Sequence, residues 1–302
     1  MPRVEKNFGF GFRVEKNLEF RVRVGITDGE ALQIPQIQLP RKVIGFKRII
    51  ITYIDHNVIA FLDRLSPLFT SFPLNLAFGT TNECILELIV RNTWQMLGKN
   101  IHGIESYACF IHRLRHFVPS FLNDCPPLRF VSVYFEELFT EFPCDDSAAA
   151  SEGQAVAKWL FTPLQSNVPK VYKCDFVRRE QEDWPLKIDA FKAAFANAST
   201  PANCIVSIWF RPLFADSVVP FDLINELTQE QFTMKRINNS QRFLLIRCLV
   251  RDESKWTKWE EEAVDWHIDE HWNQIHIQIN DEDEIGDGLL NATPGPSDQQ
   301  QK

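Results

Sequence analysis

The chain has 302 residues, 45% apolar and 24% charged, with a formal net charge of −8. That balance suits a globular protein with a sizeable core, and no apolar run approaches the roughly eighteen residues of a membrane span. The seven Cys, with no C-x-x-C pair, exclude a bridge framework and read as buried thiols in a reducing compartment, while 25 Phe and 8 Trp supply the core instead.

In chain order, RVEKN at Arg3–Asn7 recurs at Arg13–Asn17 around FGFGF, a local duplication too short to be a solenoid. Charges flank this short aromatic patch and no apolar stretch follows, which is not a signal peptide. The expected location is cytoplasmic or nuclear. Met1–Arg48 carries ten Lys/Arg and five Asp/Glu. Without clustered aromatic platforms this excess reads as solvated charge rather than a nucleic-acid footprint. Leu18–Val24 alternates apolar and polar residues and predicts a half-buried strand.

From Val43 a pattern of strand then helix sets in. Strand-like runs lie at 48–54, 73–78, 104–110, 129–135, 170–176 and 203–210. Between them, Val58, Phe61, Leu62 and Leu65 share one helical face, as do Ile85, Leu88, Ile89 and Trp94, and then Ile111, Leu114 and Phe117. QAVAKWLF and LKIDAFKAAFA continue the series. Asp55 or Asn57 caps the first helix, and Thr80, Thr81 or Asn82 the second. The expected fold is α/β, an irregular, leucine-rich-repeat-like array of strand–helix units. A doubly wound sheet competes, but the Gly-rich first turn that would announce it is absent.

After Phe210 the register changes. Residues 232–238 and 242–250 predict a hairpin around NNSQ, residues 252–272 a long helix, and 273–281 an alternating strand. The acidic, Gly/Pro- and Gln-rich remainder predicts a disordered tail. Three regions result: an arm at 1–42, a binding domain at 43–280 and a tail at 281–302.

Few residues suggest chemistry. His267, Glu270 and His271 fit H-x-x-E-H, in which two His at i, i+4 on a helix chelate zinc and the Glu serves as base. The motif also requires a third ligand, and little chain follows. Trp256, Trp259 and Trp266 mark a packed face, leaving His267 and Glu270 on the solvated one. His112 and His116 are also four apart, but Arg113 and Arg115 beside them disfavour a cation. Asp145–Asp146 and Asp281–Glu284 lack the Gly and spacing of a calcium loop, and N-x-[ST] at Asn197, Asn238 and Asn291 is read as chance. No Walker loop, G-x-S-x-G or G-x-G-x-x-G occurs. No cofactor is expected, and the residues favour a binding protein over an enzyme.

Several phrases carry a resemblance. LQIPQIQLPRKVIGFKRIIITYIDHNVIAFLDRL, AKWLFTP with VPKVYKCDF, FANASTPANCIVSIWF, and RFLLIRCLVRDESKWTKWEEEAVDW followed by IGDG together resemble a large family of nematode F-box proteins, especially of plant-parasitic species. The likeness spans roughly Leu18 to Gly288. It implies the substrate-receptor part of a Skp–cullin–F-box ubiquitin ligase, without catalytic residues. Residues 1–17 do not carry the F-box that the likeness would place there, so the Skp adaptor is an expected partner only if an F-box lies upstream. The alternative is a zinc-dependent hydrolase built on His267, Glu270 and His271.

Overall fold

The computed structural model describes residues 21–24, 26–27, 30–31, 45–69, 72–79, 83–134, 138–176, 184–249, 253–279, 284–286 and 289. Three strands come first: β1 (Arg21–Val24), β2 (Ile26–Thr27) and β3 (Glu30–Ala31), the last two forming a small hairpin of their own. β4 (Arg48–Ile51) then opens the strand–helix series. Its Ile49 and Ile51 are buried on one face, as period-two alternation requires.

Helix α1 (His56–Phe69) follows. Asp55 caps it: Oδ1 accepts from Val58 N at 2.8 Å and its carbonyl from Ile59 N at 3.1 Å. The predicted stripe of Val58, Phe61, Leu62 and Leu65 is buried. The series continues with β5 (Leu74–Phe78), α2 (Glu83–Leu97), β6 (Ile101–Tyr107), α3 (Ala108–Phe117), α4 (Phe121–Asp124) and β7 (Phe130–Tyr134). β6 begins and ends three residues before the predicted run, because Ala108 already starts α3. The proposed caps Thr80, Thr81 and Asn82 lie outside the described residues.

Helix α5 (Glu152–Phe161) starts in a capping box, with Ser151 and Gln154 each accepting from the other's backbone N–H. β8 (Lys170–Phe176), α6 (Trp184–Ala196), β9 (Cys204–Phe210) and α7 (Pro212–Ala215) complete the run. β10 (Phe221–Asn225), which the sequence did not predict, precedes the hairpin of β11 (Glu230–Arg236) and β12 (Arg242–Leu249). Asn238 and Asn239 turn that hairpin with φ of 45° and 54°, left-handed conformations that Asn tolerates, inside a loop closed by Ile237 N donating to Arg242 O at 2.9 Å. Helix α8 (Glu253–Asp265) and β13 (Gln274–Ile277) follow.

The result is a mixed α/β structure on one eleven-stranded sheet, ordered β1-β4-β13-β5-β6-β7-β8-β9-β12-β11-β10. Strands from β1 to β9 in that order are parallel; β12, β11 and β10 pair antiparallel. β13 slides between β4 and β5, so the series is not an uninterrupted repeat. The arm at 1–42 contributes β1, an edge of the same sheet.

Because the strands from β5 to β9 step in one direction, right-handed crossovers place their helices on one face. There Val58, Ile85, Leu114, Trp159 and Phe191 pack with Ile49, Leu76, Val133, Tyr172 and Leu245. On the opposite face Trp256 and Ala263 of α8 pack with Phe130, Val171, Ile205 and Ile246. Among the described residues no helix is long and apolar enough to cross a membrane, and the six described cysteines are unbridged.

Two predicted boundaries are corrected. The helix expected over 252–272 ends at Asp265, and Ile268–Glu270 is a short 3-10 turn. Within the expected tail, Glu284–Gly286 is held to Ile54, between β4 and α1, in an isolated parallel bridge: Ile54 N donates to Glu284 O at 2.9 Å, Gly286 N to Ile54 O at 2.8 Å, and Ile285 is buried.

Candidate functional site

The face opposite α1–α6 is only partly covered. α8 lies over the amino-terminal halves of β7, β8 and β9, and the segment leaving it, Val264–Trp272, crosses the sheet as a strap toward β13. The sheet holds this strap at four places. Arg242 donates to Val264 O at 2.8 Å, and Lys173 Nζ to Trp266 O at 2.6 Å and Val264 O at 3.2 Å. Ile268 N donates to Glu105 Oε2 at 3.4 Å, and Asn75 Nδ2 to Trp272 O at 3.1 Å. The carbonyls at the end of α8 have no intrahelical donor, and two cations meet both that need and the negative end of the helix dipole.

Trp266 anchors the strap. Its ring stacks on Phe130 with centroids 5.0 Å apart and on His271 at 5.4 Å. The sheet makes room with a glycine: a Cβ on Gly103 would lie 2.6 Å from the Trp266 ring and 2.5 Å from Asn75 Oδ1. Arg129 adds a bidentate contact to Glu262 of α8, at 2.7 and 3.1 Å.

Above the strap, two cross-strand rows form a shelf at the carboxyl ends of the parallel strands, where open α/β sheets place their binding sites. In the inner row Glu105, Ser132, Lys173 and Ser207 are successive register partners on β6, β7, β8 and β9. In the outer row Tyr107 pairs with Tyr134, and Trp209 pairs with Asp175 on one side and Arg242 on the other. Tyr107 is 38% exposed, and Tyr134, Asp175, Trp209 and Arg242 are half-buried.

The electrostatics follow from this partial burial. Tyr134 hydrogen-bonds with Glu105 and Ser132, and burial, with the Glu105 carboxylate beside it, pushes its hydroxyl up to about 12. Burial lowers Lys173 to about 8, assisted by Arg242 and opposed by Glu105, Asp175 and Asp265. Burial raises Asp175 from its ordinary value, although Arg242 and Lys173 pull the other way. Two of the three Lys173 donor positions point at strap carbonyls, so its ammonium holds the strap to the sheet. The outer row presents rings, a guanidinium and a carboxylate.

The residues singled out by motif lie off the two rows, His267, Glu270 and His271 on the strap itself. His267 precedes the 3-10 turn and its Nδ1 accepts from Asp269 N at 3.3 Å; His271 follows the turn, in extended backbone, stacked on Trp266. His267 and Glu270 are exposed. The two histidines therefore do not share a helical face, which was the geometry on which chelation rested. Among the described residues no group of three or more His, Cys, Asp or Glu is arranged to hold a metal ion. His112 and His116 sit edge to face on α3, 5.2 Å apart, and His112 pairs with Glu152 at 2.7 Å.

No shelf residue stands out in the sequence as functional. Each is one polar or aromatic position within an apolar strand, and only pairing brings them into line. Comparison of the chain with protein-family models, with curated proteins and with solved structures finds no match in any of the three.

Proposed function

We propose that the chain is a non-enzymatic protein-interaction module that uses its open sheet face as leucine-rich-repeat proteins do, and that it serves as the substrate-recognition part of an F-box-type ubiquitin ligase receptor. The observation that carries the binding reading is the outer row of Tyr107, Tyr134, Asp175, Trp209 and Arg242. Trp, Tyr and Arg are the residue types that dominate binding energy at protein interfaces, and here they share one ledge walled by the strap. The ligase role rests on the resemblance of the sequence phrases alone.

Affinity capture with the purified chain tests the first part. Proteins retained by the wild type and lost with a Tyr107→Ala/Trp209→Ala double variant support a binding shelf; an unchanged captured set overturns it. Titration of recombinant Skp adaptor against the chain tests the second part. Absence of binding at adaptor concentrations well above cellular levels removes the ligase role for this chain.

A further inference from the structure

Along the outer row of the shelf, rings and charge follow the spacing of the strands. Tyr107 and Tyr134 are register partners on β6 and β7, and Asp175 and Trp209 on β8 and β9. Tyr134 and Asp175 each follow the Val133–Cys174 pair of β7 and β8, so the four stand in one line across parallel strands. The line offers a ring platform, then a carboxylate, then a second ring. With neighbouring strands about 4.8 Å apart, Tyr134 and Trp209 are rooted roughly 9.6 Å from each other, with Asp175 midway.

That spacing selects among the backbone conformations of a bound chain. An extended strand returns a side chain to one face about every 6.7 Å and an α-helix about every 5.4 Å; neither repeat falls on both rings. Polyproline II completes a turn in three residues of about 3.1 Å each, or about 9.3 Å, in step with two strands. A proline-rich segment laid across β7, β8 and β9 therefore sets residues three apart on Tyr134 and Trp209. Such segments dock on aromatic side chains, and their preformed helix keeps the ordering cost low. They offer many carbonyl acceptors and few N–H donors, which suits the phenol and indole donors of the row.

Charge sets a second requirement. Arg242 and Lys173 attract the Asp175 carboxylate, yet both donate to strap carbonyls. No described residue hydrogen-bonds to that carboxylate. Between the two ring positions the shelf thus presents an acceptor for an incoming cation.

We propose that the shelf takes a proline-rich segment in polyproline II form, with a lysine or arginine between the two ring-contacting residues that reaches Asp175. The proposal rests on the reading of the shelf as a protein-binding surface and names the chemistry of what binds there.

Fluorescence anisotropy of a labelled polyproline peptide with one central arginine, titrated with the full chain, tests this. Saturable binding is expected, weakened about tenfold or more by Trp209→Ala. A glutamate in place of the peptide's arginine should also weaken binding about tenfold, and Asp175→Asn should abolish that preference. A peptide with glycines in place of its prolines should lose binding. No saturable binding with the chain at several hundred micromolar overturns the proposal. Equal binding of the glycine peptide, or of the glutamate peptide, does so too. If circular dichroism shows Trp209→Ala to be unfolded, Asp175→Asn decides, and an unchanged preference for arginine over glutamate overturns the proposal. Failure here is distinguishable from failure of the shelf: captured proteins lost with Tyr107→Ala/Trp209→Ala, while the peptide does not bind, keep the shelf and remove the proline-rich ligand.

Discussion

Arg247 and Glu230 form a two-pronged ion pair across β11 and β12, at 2.7 and 3.0 Å, with neither side chain exposed. Arg247 Nη2 also donates to Thr200 O at 2.8 Å and its guanidinium lies 4.5 Å from the Phe161 ring; Ala202 N donates to Glu230 Oε1 at 2.8 Å. Removing one partner strands a buried charge, whereas removing both removes the desolvation cost as well. Arg247→Met is therefore expected to cost roughly 3–5 kcal/mol, and Arg247→Met/Glu230→Met markedly less. Urea denaturation of both variants checks this; a double variant no better than the single one would contradict it.

Asn273 fastens the start of β13. It is fully buried, with φ of 52°; its Oδ1 accepts from Phe46 N at 2.9 Å, and its Nδ2 donates to Leu68 O at 3.1 Å and Phe72 O at 3.0 Å. Asn273→Ala orphans three buried backbone groups and keeps a backbone conformation that Asn tolerates better than Ala. A loss of about 3 kcal/mol or more is expected, measurable as a lower thermal midpoint. A variant as stable as wild type would mean these bonds contribute nothing.

Gly103→Ala drives a methyl group against Trp266 and Asn75. Overpacking of this kind costs about 1–3 kcal/mol, and the strap's tryptophan should report it as a change in fluorescence emission. In a Trp266→Leu background the same glycine change should cost less than in wild type. Equal costs in the two backgrounds would separate Gly103 from the strap.

Two histidines on the strap face make stability depend on pH. Burial lowers His102 to about 4, with Arg129 and His271 contributing, and lowers His276 to about 4, with Arg48 contributing. Between 4 and the unfolded value of 6.5 the unfolded chain binds more protons than the folded one. Their stabilising contribution is therefore complete above pH 6.5 and is lost as pH falls toward 4. Denaturation at pH 7 and pH 5 should show this, and His102→Gln/His276→Gln should flatten the slope in that interval. An unflattened slope would assign the acid sensitivity to other groups.

Trp209→Ala removes a half-buried ring from the shelf without touching the strap's hydrogen bonds. The variant should fold, with far-ultraviolet circular dichroism like wild type, yet lose captured partners. A hot-spot tryptophan contributes at least about 2 kcal/mol of binding, or some thirtyfold in affinity. Retained binding by a folded variant would place the contact elsewhere.

Local signals in the sequence proved reliable where periodicity alone decides. The β-branched strand at Arg48–Ile51, the stripe Val58–Phe61–Leu62–Leu65, the Asp55 cap and the hairpin around Asn238–Asn239 follow from composition, side-chain period and turn chemistry. The helix expected to carry H-x-x-E-H ends early for a tertiary reason: Lys173 and Arg242 take the carbonyls that end α8, and Trp266 turns down onto Phe130, so the motif lies beyond the helix, around a 3-10 turn. Neither the shelf nor the place of β13 was legible. An alternating strand such as Gln274–Ile277 states which face is apolar but not which neighbours it has. Tyr107, Asp175 and Arg242 become neighbours only through pairing between strands far apart in sequence.

The insertion of β13 between β4 and β5 also constrains how the protein is made. Arg48 and Gln274, joined by a 2.8 Å hydrogen bond, stand 226 residues apart. During synthesis β1 and β4 leave the ribosome early but have no strand to join them to β5 until Gln274–Ile277 emerges. Loop closure over that distance is slow, so the amino-terminal edge waits as an open, apolar ribbon while the rest of the sheet assembles. That waiting period is the interval in which a chaperone would be most needed and a premature stop most damaging.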